Sequence, residues 1–429
     1  MKAIGIDLGT TGICGILMDA ECGEISRSIT KPSDSFIKTE NEWEQVQDVR
    51  KIEKTAFEIL DTLINTAGDE VVSIGISGQM HGIVYINKSG EAVSNLYTWQ
   101  DGRGNLPYEN GTYASYLGSS SGYGSVTDFY NRHNKLRPSD ASSYCTIADY
   151  FVLRLCGLKS PIMHPTNAAS LGGYDIACKK FTVENGIEIH DGFSTAGCYR
   201  GIPVAIAIGD NQASVFSALK NDQSALINVG TGAQVSVISD EPILAEGIEC
   251  RPYFDEKYLI AGSALCGGRA YALLFDFYKK LLAAAGVECD DLYPIMNALA
   301  EAGQESTLIF DTRFSGTRAH PEIRGSVTNI GTGNFTPEGF TAALVRGMVT
   351  ELHDMYLASG VNAKEIVGSG NGIRKNPALI KAAEQTFGAK MHFPVYLEEA
   401  ACGAALFSLV SAGIYPDTRS VRRLIRYEE

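Results

Sequence analysis

The sequence predicts an α/β protein built from two halves with a related plan. Residues 3–12 and 226–235 each alternate apolar and small side chains and then break at a turn of glycine and threonine, which is typical of a β-hairpin. Residues 72–79 and 365–372 form a second related pair, each a buried-type strand that enters a glycine loop. Because strand signals alternate with helical stretches along the chain, the layers are expected to combine strands and helices.

The other elements follow from the periodicity of the apolar residues. Residues 46–65 have helical spacing, and residues 71–77 form a β-rich run that ends at a glycine. Residues 141–158 and 340–358 predict two further helices. Residues 203–208 predict an apolar strand with a helix shortly after it.

The composition narrows the class of protein. The 429 residues carry a formal charge of −14 and a pI of about 5.1 with no basic run, which argues against a nucleic-acid-binding surface. No segment approaches the roughly 18 unbroken apolar residues of a membrane span, and the N-terminus lacks the pattern of a signal peptide. The ten cysteines are scattered without a CxxC pair, and the seven histidines show no zinc-ligand spacing. We therefore expect a cytoplasmic protein with reduced thiols and with neither a nucleic-acid nor a membrane partner.

The two glycine-threonine turns are candidates for phosphate binding. Glycine and threonine are also common in ordinary tight turns, so the first turn alone leaves both interpretations open. The second turn favours phosphate, because two such tips would present backbone N–H groups and small hydroxyls to one polyphosphate from both sides. Only the first tip carries a carboxylate, Asp7, where a phosphate-bound magnesium ion could be held. No GxxxxGK[ST] sequence occurs, so these are not Walker-type loops.

Asp210 stands between a predicted strand and a predicted helix. Ligands of open α/β sheets collect at such strand ends, so its carboxylate is a candidate general base that takes a proton from a substrate hydroxyl. The alternative is an ordinary helix N-cap, which is a frequent use of aspartate. Position alone leaves both interpretations open.

Two polar loops of the first half have the composition of a carbohydrate site. GQMHG at residues 78–82 combines amide, imidazole and thioether side chains between glycines, and TWQDGR at residues 98–103 sets a tryptophan beside polar and charged groups. An aromatic face against the C–H side of a sugar, with carboxylate and amide groups on its hydroxyls, is usual in such sites. The alternatives are a loop with a satisfied histidine and a core tryptophan. The candidate side chains are those of Gln79, Met80, His81, Trp99, Asp101 and Arg103.

The glycine loop of the second half, residues 368–372, lies after a predicted strand and before a predicted helix. It is either a merely flexible loop or a place where the backbone approaches a flat ligand such as adenine or ribose. A single glycine loop does not decide between these interpretations.

Taken in order, these blocks resemble those of the FGGY carbohydrate kinases, a family of the actin–hexokinase–Hsp70 superfamily, and most of all those of its sedoheptulokinase members. The resemblance spans nearly the whole chain, and the combination of GQMHG with TWQDGR is its most specific part. It rests on GIDLGTTG, ISGQMHGIVY, TWQDGR, TIADYFVLRLCGL, NAAS, GDNQASV, INVGTGAQV, RGMVTELH and VGSGNGIRKN.

The resemblance implies an α/β, two-domain actin-like ATPase fold of duplicated ribonuclease H type with an interdomain cleft. Residues 1–213 would bind sugar and phosphate, and residues 214–429 would bind the nucleotide. It also implies ATP and Mg²⁺ as cofactors, with Asp210 as the catalytic base and with Asp7 and Asp210 at the metal. The sugar would be surrounded by Gln79, Met80, His81, Trp99, Asp101, Arg103 and Asn211, and the nucleotide by Gly9, Thr10, Thr11, Gly230, Thr231, Gly232, Gly368, Ser369, Gly370 and Asn371.

The implied activity is ATP-dependent phosphorylation of a terminal hydroxyl of a ketose, with sedoheptulose giving sedoheptulose 7-phosphate. Asn211 directly after Asp210 resembles the xylulokinase pattern, and the chain is shorter than usual around residues 106–129 and 174–201, so a xylulokinase or another FGGY ketose kinase stays an alternative. An actin-like or Hsp70-like nucleotide switch is the alternative of another class, although it would have no need of GQMHG and TWQDGR. Sugar and ATP are the expected small-molecule partners of a monomer or homodimer.

Overall fold

The chain folds into two units, each with its own sheet and core, in a computed structural model that describes residues 1–182, 186–318 and 320–428. Unit 1 comprises Met1–Lys220, Arg251–Glu256 and Glu398–Arg426, and unit 2 comprises Asn221–Cys250, Lys257–Leu397 and Tyr427–Glu429. The two-domain α/β class predicted from the sequence is confirmed. The predicted division into residues 1–213 and 214–429 stays a prediction.

Unit 1 is built around a seven-stranded sheet. Its strands in chain order are β1 (Lys2–Leu8), β2 (Gly12–Asp19), β3 (Ile25–Pro32), β4 (Val71–Gly78), β5 (Thr195–Tyr199), β6 (Ile202–Ala205) and β7 (Ile208–Gly209). They lie side by side in the order β5-β6-β4-β1-β2-β3, and β7 also pairs with β4. The first three strands form an antiparallel meander, whereas β4 runs parallel to β1.

Unit 2 repeats this plan in a six-stranded sheet. Its strands are β8 (Ser224–Val229), β9 (Ala233–Ser239), β10 (Ile248–Pro252), β11 (Tyr258–Ala264), β12 (Glu365–Ser369) and β13 (Met391–His392), in the order β10-β11-β9-β8-β12-β13. The run β11-β9-β8-β12 has the same strand directions as β3-β2-β1-β4, with two antiparallel pairs followed by a parallel one. The predicted duplication is therefore confirmed.

The helices lie between and beside these strands. In chain order they are α1 (Val49–Ala67), α2 (Tyr113–Tyr116), α3 (Gly124–His133), α4 (Ile147–Cys156), α5 (Pro165–Ser170), α6 (Asp210–Ala218), α7 (Gly268–Ala284), α8 (Tyr293–Ala302), α9 (Pro337–Ala358), α10 (Asn371–Arg374), α11 (Pro377–Phe387), α12 (Glu399–Ser411) and α13 (Thr418–Val421). Short strand pairs join Val46–Gln47 to Leu96–Tyr97, Val84–Ile86 to Ser143–Cys145, Pro107–Tyr108 to Gly111–Thr112, Ile162–Met163 to Glu188–Ile189, Tyr174–Asp175 to Lys180–Phe181, and Ile309–Asp311 to Ser326–Thr328.

Most elements predicted from periodicity are present. Residues 46–65 and 340–358 fall within α1 and α9, apart from the first three residues of the former. The single helix predicted over residues 141–158 is wrong at its start, because α4 begins only after Thr146, whose side chain forms a capping box with Asp149. The strand predicted over residues 203–208 is divided between β6 and β7.

Helix α12, from the C-terminal end of the chain, packs against the centre of the unit 1 sheet. A Cβ atom on Gly5 of β1 would lie 1.9 Å from the backbone oxygen of Ala401, and a Cβ on Gly75 of β4 would lie 1.9 Å from that of Ala404. The helix backbone therefore approaches the sheet more closely than a side chain at Gly5 or Gly75 would allow. A hydrogen bond of 2.8 Å between the buried hydroxyls of Ser73 and Ser408 crosses the same contact.

Each sheet carries a separate apolar core. In unit 1 the side chains of β1, β4, α1 and α4 form one buried cluster, and in unit 2 those of β8, β9, α9 and α11 form another. All ten cysteines are free thiols. Within the described residues, none of the helices has the length and apolar composition needed to span a bilayer.

Candidate active site

Asp7 lies near the end of β1, level with Ser77 on the parallel strand β4. Ser77 Oγ donates a hydrogen bond to Asp7 Oδ1 at 2.9 Å. Burial raises the pKa of the Asp7 carboxyl to about 6; the Ser77 hydrogen bond opposes this rise and the charge of Glu398 adds to it. The first glycine-threonine turn thus begins beside a buried carboxylate whose proton affinity is raised.

Asp210 opens α6 at the end of the strand β7. Gly209 occupies the N-cap position, so Asp210 stands one residue later, where its Oδ1 accepts the N–H of Asn211 at 2.7 Å. Burial, and to a lesser degree the charge of Asp7, raise the pKa of Asp210 to about 7 against the opposing effects of the Asn211 N–H and of Arg251. A carboxylate with raised proton affinity at a strand end is the arrangement expected of a general base.

The two carboxylates occupy one region of unit 1, because β1 and β7 both pair with β4: Asp7 lies level with Ser77, and Gly209, the residue before Asp210, lies level with Gly78. Oxygen ligands of this kind suit Mg²⁺, which keeps several waters and is usually held by one or two carboxylates together with substrate phosphates. In the described parts of the chain, no group of three or more histidine, cysteine, aspartate or glutamate side chains is placed to hold a metal ion. Two carboxylates are a donor set that fits an ion carried on substrate phosphates.

Buried polar residues of α5 support the backbone just before Asp210. The N–H of Gly209 donates to Thr166 Oγ1 at 3.2 Å, and the N–H of Thr166 donates to His164 Nδ1 at 3.2 Å. His164 is therefore the N-cap of α5 through an unprotonated Nδ1. Burial lowers the pKa of His164 to about 4, so its ring stays neutral near pH 7.

Because the buried ring of His164 resists protonation, unit 1 should be less stable in mild acid than at neutral pH. The unfolded chain binds a proton at this histidine near pH 6.5 and the folded chain only near pH 4, so its contribution is fully present above pH 6.5 and is lost as the pH falls towards 4. At pH 5 the loss should be about 2 kcal/mol of the free energy of unfolding. The measurement is urea unfolding at pH 7.5 and pH 5.

His164→Asn is the matched variant for this prediction, because asparagine also caps helices and does not titrate. The difference in unfolding free energy between the two pH values should be about 2 kcal/mol smaller in the variant than in the wild type. Equal pH dependence in both proteins would show that His164 does not stay neutral in the folded chain.

A closed ring of hydrogen bonds joins the first turn to the GQMHG loop. Gln47 Nε2 donates to the carbonyl of Thr10 at 2.7 Å, Gln79 Nε2 donates to Gln47 Oε1 at 2.8 Å, and Thr10 Oγ1 donates to Gln79 Oε1 at 3.3 Å. Gln47 is fully buried and Gln79 is only 3% exposed. The ring fixes the phosphate-type tip and the predicted sugar loop relative to each other.

Trp99 borders this ring and is not a core residue. Its side chain is 47% exposed, and Nε1 donates to Thr10 Oγ1 at 3.0 Å. The interpretation as a core tryptophan is therefore wrong. One edge of the indole is tied to the first turn, and much of the ring surface is accessible to a ligand.

If Trp99 contacts the sugar, Trp99→Ala should raise the KM of the sugar or lower kcat, with little change in the Kd for ATP measured without sugar. Loss of a neutral hydrogen-bonding and packing contact should cost roughly 0.5–1.5 kcal/mol of sugar affinity. Because the residue is half exposed, the melting temperature should hardly change.

The other tryptophan of the chain, Trp43, provides the control for this prediction. Trp43 packs edge-on against Tyr130 and lies under the guanidinium of Arg103. Trp43→Ala should lower the melting temperature. If Trp99→Ala lowered the melting temperature to the same degree and weakened sugar and ATP equally, Trp99 would be a structural residue.

Asp101 and Arg103 of the TWQDGR loop are bonded mainly to each other. Arg103 Nε donates to Asp101 Oδ1 at 2.6 Å and Nη2 donates to Oδ2 at 3.1 Å, while the guanidinium lies 4.2 Å from the ring centre of Tyr97. Both side chains are 1% exposed, and Arg103 also donates to Asn131. This buried pair holds the loop that carries Trp99, and direct contact of either residue with a sugar stays a prediction.

The GQMHG loop lies against the backbone that precedes Asp210. A Cβ on Gly209 would lie 2.8 Å from Met80 Sδ. His81 has a left-handed backbone, with φ of 72°, held by a 3.1 Å hydrogen bond from its N–H to Ser170 Oγ. Its Nδ1 donates to the carbonyl of Ser170 at 2.7 Å, which makes Nε2 the acceptor nitrogen whenever the ring is neutral. The structure thus brings Met80 next to the Asp210 loop in one unit.

Asn211 has a partner that the sequence motifs do not include. Arg251 Nη1 donates to Asn211 Oδ1 at 2.9 Å. Arg251 and Gln47 are two residues of this region that motif reasoning missed. Neither belongs to a segment of recognisable composition, and each reaches the site through a contact distant in sequence, so no local pattern indicates them.

In unit 2, part of the predicted nucleotide site lines one cavity of about 920 Å³. The N–H groups of Gly268 and Arg269, at the start of α7, donate to the carbonyls of Gly230 and Thr231 at 2.9 and 3.0 Å and so fix the second turn. Residues that line the cavity are Gly230, Thr231, Tyr271, Tyr293, Asn297, Asn371, Gly372 and Asn376.

Three other predicted nucleotide residues, Gly368, Ser369 and Gly370, are not among those that line this cavity. Ser369 is buried and accepts a 2.8 Å hydrogen bond from Asn228 Nδ2, and a Cβ on Gly368 would lie 2.3 Å from the ring of Phe393. Gly370 has φ of 84°, which turns the chain from β12 into α10. These residues shape the loop, and Asn371 is its member in the cavity wall.

Comparison with known proteins gives a consistent picture. Family models described as the N-terminal and C-terminal domains of the FGGY family of carbohydrate kinases match residues 2–110 and 225–412. A sedoheptulokinase from Mus musculus is 30% identical, with 95% of this chain and 97% of the mouse protein covered. Among solved structures, a xylulose kinase from Rhodospirillum rubrum has a TM-score of 0.86 at 17% identity, covering 100% of this chain and 93% of that one. A gluconate kinase from Lactobacillus acidophilus has a TM-score of 0.84 at 17% identity, with 100% and 92% covered.

Proposed function

The chain belongs to the FGGY family of carbohydrate kinases and is a sugar kinase, and from this premise we propose that it transfers the γ-phosphoryl group of ATP to a terminal hydroxyl of sedoheptulose, giving sedoheptulose 7-phosphate. The choice of sugar is supported by the mouse relative, which is similar over 95% of this chain and carries the name sedoheptulokinase.

The observation that carries the proposed chemistry is the pair of carboxylates Asp7 and Asp210 at the ends of β1 and β7, two strands that both pair with β4, with Met80 against the Asp210 loop. Phosphoryl transfer requires little covalent chemistry from the protein itself. It requires an aligned acceptor hydroxyl, neutralised phosphate charge and a group that takes the hydroxyl proton. Asp210 is suited to the last task, because its proton affinity is raised by burial and by Asp7.

Asp7 and Asp210 also fit a magnesium ion. The ion would supply charge neutralisation for the transferred phosphate, and Asp7 would hold it through water. The side chains of Thr10 and Thr11 would face the transferred phosphate. Asp7 begins this turn with its carboxylate held by Ser77, so the chain itself orients the carboxylate that would face the ion.

The remaining residues divide between the two substrates. We assign the acceptor sugar to Gln79, Met80, His81, Trp99 and Asn211, with Asp101 and Arg103 holding the loop around it. We assign the nucleotide to unit 2, where Thr231 and Asn371 line the 920 Å³ cavity. That volume is within the usual range for small-molecule sites.

D-Xylulose is the second candidate acceptor, favoured by Asn211 directly after Asp210. The structural likeness to xylulose kinases shows the fold alone, because the sequence identity is 17%. A nucleotide switch that acts on protein partners would be indifferent to sugars.

The test is ADP release with ATP and Mg²⁺ and one of four acceptors: sedoheptulose, D-xylulose, D-ribulose or glycerol. We expect the highest kcat/KM with sedoheptulose. A higher value with D-xylulose would replace the substrate and keep the reaction class. ADP release that no acceptor stimulates would contradict the proposed function.

A further inference from the structure

A six-residue segment from the second half of the sequence, Arg251–Glu256, is built into unit 1. Phe254 is buried among aromatic side chains, with its ring centre 5.0 Å from that of Phe216 and 5.2 Å from that of Phe407. The carbonyl of Pro252 accepts a 3.2 Å hydrogen bond from Gln212 Nε2. The segment is therefore anchored to α6 at two points, Gln212 and Phe216.

This anchoring places Arg251 next to Asn211. Arg251 Nη1 lies 2.9 Å from Asn211 Oδ1. A guanidinium has donors and no acceptor, so the atom of the amide that faces it must be the oxygen. The amide nitrogen of Asn211, with its two hydrogens, is consequently turned away from Arg251.

We propose that Arg251 is a specificity-determining positioning residue of the sugar site: by donating to Asn211 Oδ1, it fixes the Asn211 amide so that the amide nitrogen donates to an oxygen of the acceptor sugar. The inference rests on the proposed function, since it takes Asn211 as a sugar contact. It adds a residue that none of the sequence motifs includes.

The fixed amide has a chemical consequence for substrate choice. Arg251 holds the amide oxygen, so the side of the amide that faces away from Arg251 presents N–H groups. Such a donor rewards a sugar that carries a hydroxyl or carbonyl oxygen at that point. A sugar without that oxygen leaves the donor unpaired, and such a loss discriminates strongly between substrates.

Two variants of Arg251 distinguish the effects of its charge, of its hydrogen-bond donors and of the packing of its side chain. Arg251→Met keeps the aliphatic stem and removes the donors, whereas Arg251→Lys keeps the charge and one donor group. Arg251→Met should lower kcat/KM for the sugar by roughly tenfold to a hundredfold, the range for losing a hydrogen bond from a charged group, mainly through KM. Arg251→Lys should be intermediate. The Kd for ATP without sugar should not change.

Monodeoxy analogues of the best acceptor give the direct readout of specificity. The wild type should reject at least one analogue by roughly tenfold or more relative to the parent ketose, and Arg251→Met should lose most of that preference. A purely structural arginine would lower all the rates together and leave the ratio unchanged.

Asn211→Ala completes a double-mutant cycle with Arg251→Met. If Arg251 acts through Asn211, Arg251→Met on the Asn211→Ala background should change kcat/KM by less than about threefold. Arg154→Met is the control, because Arg154 makes its ion pair with Glu53 on the surface of unit 1 at 2.8 Å. It should leave the ratio of analogue to parent sugar unchanged.

Additive effects in the cycle, or unchanged discrimination in Arg251→Met, would overturn the inference while the kinase activity itself stands. If no sugar stimulates ADP release by the wild type, the proposed function fails first. Sugar binding measured by calorimetry without nucleotide then still decides about Arg251, since unaltered Kd values in Arg251→Met would overturn the inference.

Discussion

Asp210→Asn should abolish most of the phosphoryl transfer, lowering kcat by on the order of 10²–10⁴-fold, the usual cost of losing a general base. Asparagine has the same shape but cannot take the proton of the acceptor hydroxyl. The fold should persist, because the N-cap of α6 is Gly209 and not Asp210. The measurement is the single-turnover rate of ADP formation with saturating sugar, beside the Kd for ATP and the melting temperature.

Asp128→Asn is the matched control for Asp210→Asn. Asp128 is a buried carboxylate of unit 1 that forms an ion pair with Arg132 at 2.6 Å and accepts a hydrogen bond from Tyr85. Its replacement should lower stability and leave the rate per folded molecule near that of the wild type. Wild-type turnover by Asp210→Asn would refute the assignment of the base, and unfolding of that variant would show that Asp210 is structural.

Gly75→Val should have the largest effect on stability. The new Cβ would lie 1.9 Å from the carbonyl oxygen of Ala404, which is helix backbone and cannot rotate away, so α12 must move off the sheet. Overpacked cores cost typically 1–3 kcal/mol and occasionally more, and a rigid obstacle places this variant at about 3 kcal/mol or above. For a unit of this size that corresponds to a fall in melting temperature of roughly 10 °C.

Gly333→Val is the matched control, because a Cβ there meets nothing within 4 Å. It should change the melting temperature little. If Gly75→Val were as stable as Gly333→Val, the close packing of α12 against β4 would be wrong. That packing places Ala400 beside Ser77, whose hydroxyl also reaches Asp7, so activity should fall together with stability in Gly75→Val.

The parts of the fold that sequence reasoning predicts are those with local causes. β1 and β2 pair without interruption from Leu8 with Ile13 to Lys2 with Asp19, so alternation plus a glycine-threonine turn is enough to predict the hairpin. The same holds for β8 and β9. The duplicated plan follows, because each hairpin is joined by a parallel strand that ends in a small-residue loop.

The parts that escape prediction depend on contacts between distant segments. Gln47 reaches Thr10 across 37 positions and Arg251 reaches Asn211 across 40. The mutual pairing of Asp101 and Arg103 also escapes prediction, because the sequence of a polar loop does not indicate whether its charged side chains face a ligand or each other. Nothing in the sequence of residues 398–426 indicates that they pack with unit 1, since the apolar residues of a helix do not specify which sheet the helix packs against.

The stoichiometry of ATP use tests the central claim most directly. The purified protein is incubated with ATP, Mg²⁺ and sedoheptulose, and ADP and sugar phosphate are measured together, with the position of the phosphate read by NMR. We predict one sedoheptulose 7-phosphate for each ADP and almost no ADP without sugar, because the proposed base and sugar loops of unit 1 would serve an acceptor hydroxyl. ADP formed at the same rate with and without sugars, and no phosphorylated sugar, would contradict the account.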